Sequence, residues 1–150
     1  MEVTRRTDLS PAALWAVMGQ LRRWPQWQDT LNELDPLEPE RPEEVGAAYR
    51  ADVTALPTAV WTITEWLPER SFTWVTSAPG VTTTSVHALE PDGDGTLIRL
   101  SLTWSGPMAR PVAAALEGMM QDYLEHEALE LESHARDLWE ARQAGHDLGY

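Results

Sequence analysis

Two side chains in the threonine- and valine-rich middle of the chain are of types that move protons. His87 stands in Thr83-Thr84-Ser85-Val86-His87-Ala88-Leu89, and an unperturbed imidazole titrates near ~6.5, which makes it the leading general acid/base candidate. Glu65 stands in Trp61-Thr62-Ile63-Thr64-Glu65-Trp66-Leu67, in line with Trp61 and Ile63. Turned inward with them, its carboxyl would be desolvated, hold its proton more tightly and serve as a base. The plainer readings are a hydrogen-bonded structural histidine and a glutamate bent outward ahead of Pro68. Tyr123 adds a phenolic hydroxyl able to donate to a ligand carbonyl.

Other spacings do not make sites. His126 and His134 are separated by Glu130 on an acidic stretch, without the HExxH spacing of a zinc helix, so no metal is expected. Asp92-Gly93-Asp94-Gly95 lacks the later ligands of a calcium loop and reads as a turn. There is no glycine-rich phosphate loop and no GxSxG elbow. With no cysteine in the chain, thiol nucleophiles, zinc knuckles and disulfides drop out together, which fits a reducing cytoplasm. No cofactor is expected.

The elements that would position these residues follow from periodicity. Val3 to Thr7 is extended, and Ser10-Pro11 supplies a cap and a first-turn proline for a helix striped by Leu14, Trp15, Val17, Met18 and Leu21. A second short helix is expected at Trp24 to Gln28. From Leu31 to Ser105 the period becomes two, with breaks at 38–46, 56–58, 68–70, 79–80 and 91–95, giving six further strands. After Gly106-Pro107 the period returns to three and four through Val112, Leu116, Met120, Tyr123, Leu124, Ala128, Leu131, Ala135 and Leu138, one helix of about nine turns. Gly118 inside it marks a bend or a close approach. The acidic residues of that helix, Glu127 among them, read as a solvated face.

A long amphipathic helix needs an apolar surface over its stripe, and an alternating meander has one such face to offer. The fold class expected is therefore α+β, a seven-stranded curved antiparallel sheet with two short helices after the first strand, gripping a long C-terminal helix, in one domain spanning 1–150. Alternation places Tyr49, Trp61, Ile63, Phe72, Trp74, Ser85, Leu100 and Trp104 on the inner face of the sheet, opposite Leu116, Met120 and Tyr123 of the helix. These are the candidate ligand-binding residues. Eight tryptophans are the most unusual count in the composition; Trp15, Trp27 and Trp66 read as core filling, Trp61, Trp74 and Trp104 as walls for a flat ligand.

The formal charge of −13 opposes phosphate backbones and anionic headgroups, so neither nucleic acid nor membrane insertion is expected, and no apolar run approaches the ~20 residues a bilayer needs. The N-terminus lacks the apolar run of a signal peptide, and the expected partner is a hydrophobic small molecule met in the cytoplasm by a monomer or homodimer.

Several phrases match a known family in order. Ser10-Pro11-Ala12-Ala13-Leu14-Trp15-Ala16-Val17, Trp24-Pro25-Gln26-Trp27, Val45-Gly46-Ala47, the run from Thr64 to Trp74 and the run from Leu89 to Thr96 together resemble the START-like or SRPBCC superfamily, closest to its polyketide cyclase/dehydrase-like branch. The resemblance implies a helix-grip fold with a deep hydrophobic cavity, used in that superfamily for carrying lipids, binding hormones or steering polyketide cyclisation. It carries no shared catalytic set, so the activity stays open between a binding module, a polyketide aromatase/cyclase or dehydratase using His87 or Glu65, and a regulatory interaction protein.

Overall fold

The computed structural model describes residues 1–145. Strand β1 (Glu2–Thr7) is followed by helix α1 (Pro11–Met18) and a 3-10 helix (Leu21–Gln26). Six strands come next: β2 (Leu31–Pro36), β3 (Ala48–Val53), β4 (Ala59–Leu67), β5 (Ser71–Ala78), β6 (Val81–Asp92) and β7 (Gly95–Ser105). The chain then runs into helix α2 (Ala109–Gln143). The strands form one antiparallel sheet in the order β1-β7-β6-β5-β4-β3-β2, a meander in which the first strand joins the last. This is the helix-grip arrangement that the periodicity predicts.

Local chemistry explains the boundaries. The Ser10 hydroxyl accepts from the Ala13 N–H at 3.2 Å with Pro11 in the first turn of α1, the cap that the sequence pattern predicts. The second short helix lies a little earlier than 24–28 and is of the tighter 3-10 type; Pro25 within it has no N–H to donate, which suits a short 3-10 stretch better than a continuing α-helix. At the β6–β7 turn Gly93 takes φ of +59°, the left-handed region that favours glycine.

Strand β4 departs from simple alternation. Ile63 pairs with Trp74 but Glu65 pairs with Thr73, so Thr64 is an extra residue in a β-bulge. Beyond it the faces exchange: Trp66 turns inward against Trp15 and Phe72, while Glu65 and Leu67 are exposed. The expectation that Glu65 shares the face of Trp61 and Ile63 is thereby corrected, because one inserted residue shifts every later side chain to the opposite side.

The core lies between the sheet and α2, but not along the whole helix. Leu124, Ala128, Leu131, Ala135 and Leu138 are all buried, and the helix packs there against β1, β7 and α1. Each fully buried leucine contributes roughly 1.5–3 kcal/mol. From Ala109 to Tyr123 no residue of α2 is buried. Gly118, in that stretch, has nothing within 4 Å of where a Cβ would stand, so it marks no close approach. Among the described residues no helix is long and apolar enough to cross a membrane.

Candidate functional site

Where α2 stands away from the sheet, a cavity of about 620 Å³ opens between them. Its closed inner end is made by the buried residues Trp24, Ser85, His87, Leu102, Leu124 and Glu127. Its mouth is framed by exposed residues of the β3–β4 turn, Pro57 and Thr58, and of the end of β5, Ser77 and Ala78. Val112, Leu116 and Met120 of α2 form the roof, half-exposed.

The wall is aromatic because of how strand register stacks the indoles. Trp61 lies 5.5 Å from Trp74, and Trp74 lies 5.4 Å from Trp24, which the 3-10 helix brings over the sheet. Trp24 is fixed by its indole N–H donating to the Met18 carbonyl at 3.0 Å. Trp104 borders the same space from β7. Opposite this hydrocarbon surface the polar side chains among the described residues are mostly hydroxyls, such as those of Thr76, Thr83 and Ser85, with one charged cluster at the inner end.

That cluster is formed by His87, Glu127 and Gln28. His87, on β6, stacks on its cross-strand neighbour Phe72 at 4.5 Å with the rings 5° from parallel. Its Nε2 is 3.1 Å from Glu127 Oε2, and both side chains are nearly inaccessible. The other oxygen of Glu127 accepts from Gln28 Nε2 at 2.7 Å. One helix residue thus ties the sheet to the segment after the 3-10 helix. The carboxylate fixes the proton on Nε2, which leaves Nδ1 as the free end of the imidazole; Nδ1 is buried and has no hydrogen-bond partner. An imidazole held by a carboxylate is a group capable of proton transfer, though Nδ1 reaches cavity contents only if the ring shifts.

The expected solvated acidic face is corrected at Glu127, which is only 7% exposed. The signal was present: Glu127 lies three residues after Leu124 and four before Leu131, inside the buried stripe. Charge type misled where spacing would not have. Gln28 carried no comparable signal, since nothing in its neighbours tells which way a residue after a 3-10 turn will face.

Of the sequence-derived candidates, His87, Trp61, Trp74, Ser85 and Trp104 border the cavity from the sheet, and Leu116, Met120 and Tyr123 from the helix. Glu65 lies outside it on the opposite face of β4. Tyr49, Ile63, Phe72 and Leu100 are inward but do not reach it; all four are fully covered by neighbouring side chains. Phe72, for instance, is overlaid by Trp15, Trp24 and Trp66. Alternation tells which side of a strand faces in, and the helices decide which of those positions are covered. The Tyr123 hydroxyl donates to the Thr54 carbonyl at 2.7 Å, which ties α2 to the mouth and commits the donor expected for a ligand.

Tyr49 is instead an electrostatic feature of the core. Its hydroxyl has no hydrogen-bond partner, and burial, reinforced by the Glu43 carboxylate and opposed by Arg22, pushes its pKa up to about 12. Outside the cavity, His126 Nε2 sits 3.3 Å from both Asp29 Oδ2 and Glu130 Oε1. These three ligand-type atoms lie within 4.8 Å of one another. The Asp29 N–H also donates to Glu130, whose carboxyl pKa is raised chiefly by burial. The trio therefore stands as a hydrogen-bonded staple between the loop and α2.

The likeness to known proteins is strongest in shape. The di-domain aromatase/cyclase StfQ of the steffimycin biosynthetic pathway superposes with a TM-score of 0.75 at 13% identity, over 91% of this chain and 50% of that one. The Zhui aromatase/cyclase from Streptomyces sp. R1128 gives 0.71 at 16% identity, over 91% and 92% of the two chains. Ara h 8.0201 gives 0.67 at 13%, over 91% and 97%. At such identities the likeness concerns the fold. No curated protein sequence matches the chain. Residues 1–135 match the family described as polyketide cyclase/dehydrase and lipid transport, and the chain belongs to that family.

Proposed function

We propose that this protein binds an apolar, flat small molecule in the cavity between α2 and the sheet, as a carrier or sensor. The observation that carries the reading is the cavity itself: about 620 Å³ walled by Trp24, Trp61, Trp74 and Trp104. Ligand sites in proteins run from roughly 300 to 1,000 Å³ and are mostly apolar with a few polar groups, which describes this one. Interiors otherwise pack as tightly as organic crystals, so a void of this size bordered by four large indoles that leave it unfilled is a feature that packing alone does not explain. Ligand would bury the half-exposed Val112, Leu116 and Met120, the apolar surface that α2 leaves uncovered.

Titration with polycyclic aromatic and acyl ligands tests this. Binding should quench tryptophan fluorescence and raise the melting temperature. Ligands that do neither, with no small molecule retained by the purified protein in native mass spectrometry, would overturn it.

A second reading, an aromatase/cyclase or dehydratase, is favoured by one observation, the His87–Glu127 pair at the closed end. In it the cavity folds a poly-β-keto chain and His87 moves the proton at the reacting carbon. His87→Ala should then abolish turnover of a cyclisable mimic while the fold persists; unchanged turnover removes His87 from the chemistry.

A further inference from the structure

We infer that Glu127 makes the cavity charge-selective: it accepts neutral ligands, and next cationic ones, and rejects carboxylates and other anions of the same shape. The inference rests on the pocket reading and names the ligand class of that pocket.

Among the described residues, Glu127 is the one carboxylate and His87 the one histidine bordering the cavity, and no arginine borders it. The chain contains no lysine at all. At 3.1 Å a single proton fits between His87 Nε2 and Glu127 Oε2. A second proton can be carried only on Nδ1. The pair therefore has a net charge of −1 or zero, and no arrangement leaves it positive. An anion entering this space would lose its hydration and find no net positive charge, against a buried carboxylate already in place.

A neutral ligand meets neither penalty, and the hydroxyls of Thr76, Thr83 and Ser85 can exchange hydrogen bonds with its carbonyl or hydroxyl groups. A cation has the Glu127 charge in its favour, but both carboxylate oxygens already accept from His87 and Gln28, so it must share them. The mouth offers an anion nothing better, since Pro57, Thr58, Ser77 and Ala78 carry no charge. The overall charge of −13 opposes its approach as well. Selection of this kind works by withholding a partner from the wrong ligand.

Isothermal titration of the full chain with three ligands of one skeleton tests the inference: 9-anthracenemethanol, 9-anthracenecarboxylate and 9-anthracenemethylammonium, near pH ~8 where the acid and the amine are charged. The alcohol should bind at least about tenfold more tightly than the carboxylate, and the amine more tightly than the carboxylate. In Glu127→Gln the alcohol-to-carboxylate ratio should fall to within about threefold, whatever the change in absolute affinity for the alcohol. Equal or tighter binding of the carboxylate overturns charge selection while leaving the pocket reading intact. An unchanged ratio in folded Glu127→Gln overturns the role of Glu127. If that variant does not fold, the order of amine and carboxylate on the wild-type protein decides. Failure of all three to bind overturns the pocket reading and this inference with it.

Discussion

The two halves of α2 are continuous in backbone and opposite in use. From Leu124 to Leu138 the helix sends a regular stripe into β1, β7 and α1, and those side chains are buried. From Ala109 to Tyr123 the stripe continues as Val112, Leu116 and Met120, but the sheet has curved away and the residues stand over open space. The same periodicity stabilises the fold in one half and offers a binding surface in the other. What separates them is the distance from helix to sheet. Glu127 lies near the seam, its carboxylate closing the inner end of the cavity.

Truncating matched leucines should expose this division most strongly. Leu131→Ala removes a side chain 1% exposed and should cost about 2–5 kcal/mol in urea unfolding. Leu116→Ala, over the cavity, should cost less than about 1 kcal/mol and instead weaken ligand binding. Equal losses of stability would mean that the cavity closes in solution and that the two halves do not differ. At the seam, Glu127→Ala leaves the N–H groups of His87 and Gln28 buried without an acceptor, and should cost about 3 kcal/mol in the same assay. A loss below about 1 kcal/mol would place the cluster in solvent.

Alkaline pH gives a further separation, because Tyr49 belongs to the packed region. Its folded pKa of about 12 lies above the ordinary value of 10.0, so the folded state holds the proton longer than the unfolded chain. Its contribution is constant below pH 10 and declines as pH rises from 10.0 towards about 12. Tyr49→Phe should flatten that part of the stability profile and, by removing a buried hydroxyl without a partner, leave stability at neutral pH unchanged or slightly higher. A profile as steep as the wild type would assign the decline to other groups.

The sequence makes the packed half more legible than the open half, for physical reasons. Strand order, the Ser10 cap and the α2 stripe are local signals, readable from a few neighbouring residues. Seven strands and the long helix followed from them. The Thr64 bulge carries no such signal, and it alone sends Glu65 outward. Whether an inward residue is covered or faces a void depends on the distance between elements far apart in the chain, so Phe72 and Trp74, two residues apart on one face, separate into core and cavity wall only in three dimensions. Glu127 and Gln28 meet across 99 residues, and a carboxylate within an apolar stripe can be recognised only by giving its spacing precedence over its charge.

The smallest expected effect tests whether the open half of α2 is rigid. Gly118 lies in that half at an ordinary helical φ, and a Cβ there would touch nothing within 4 Å. Gly118→Ala should therefore gain about 0.5–1 kcal/mol from the lower backbone entropy of its unfolded state, without a compensating clash. If the helix need only stand over the cavity, ligand association will keep its wild-type rate in stopped-flow measurements. If it must flex at Gly118 to admit the ligand, the stabilised variant will bind more slowly with the full gain in stability still present, and the boundary between the two halves will be dynamic as well as geometric. No gain in stability would mean that Gly118 is strained or in contact, contrary to the open space around it.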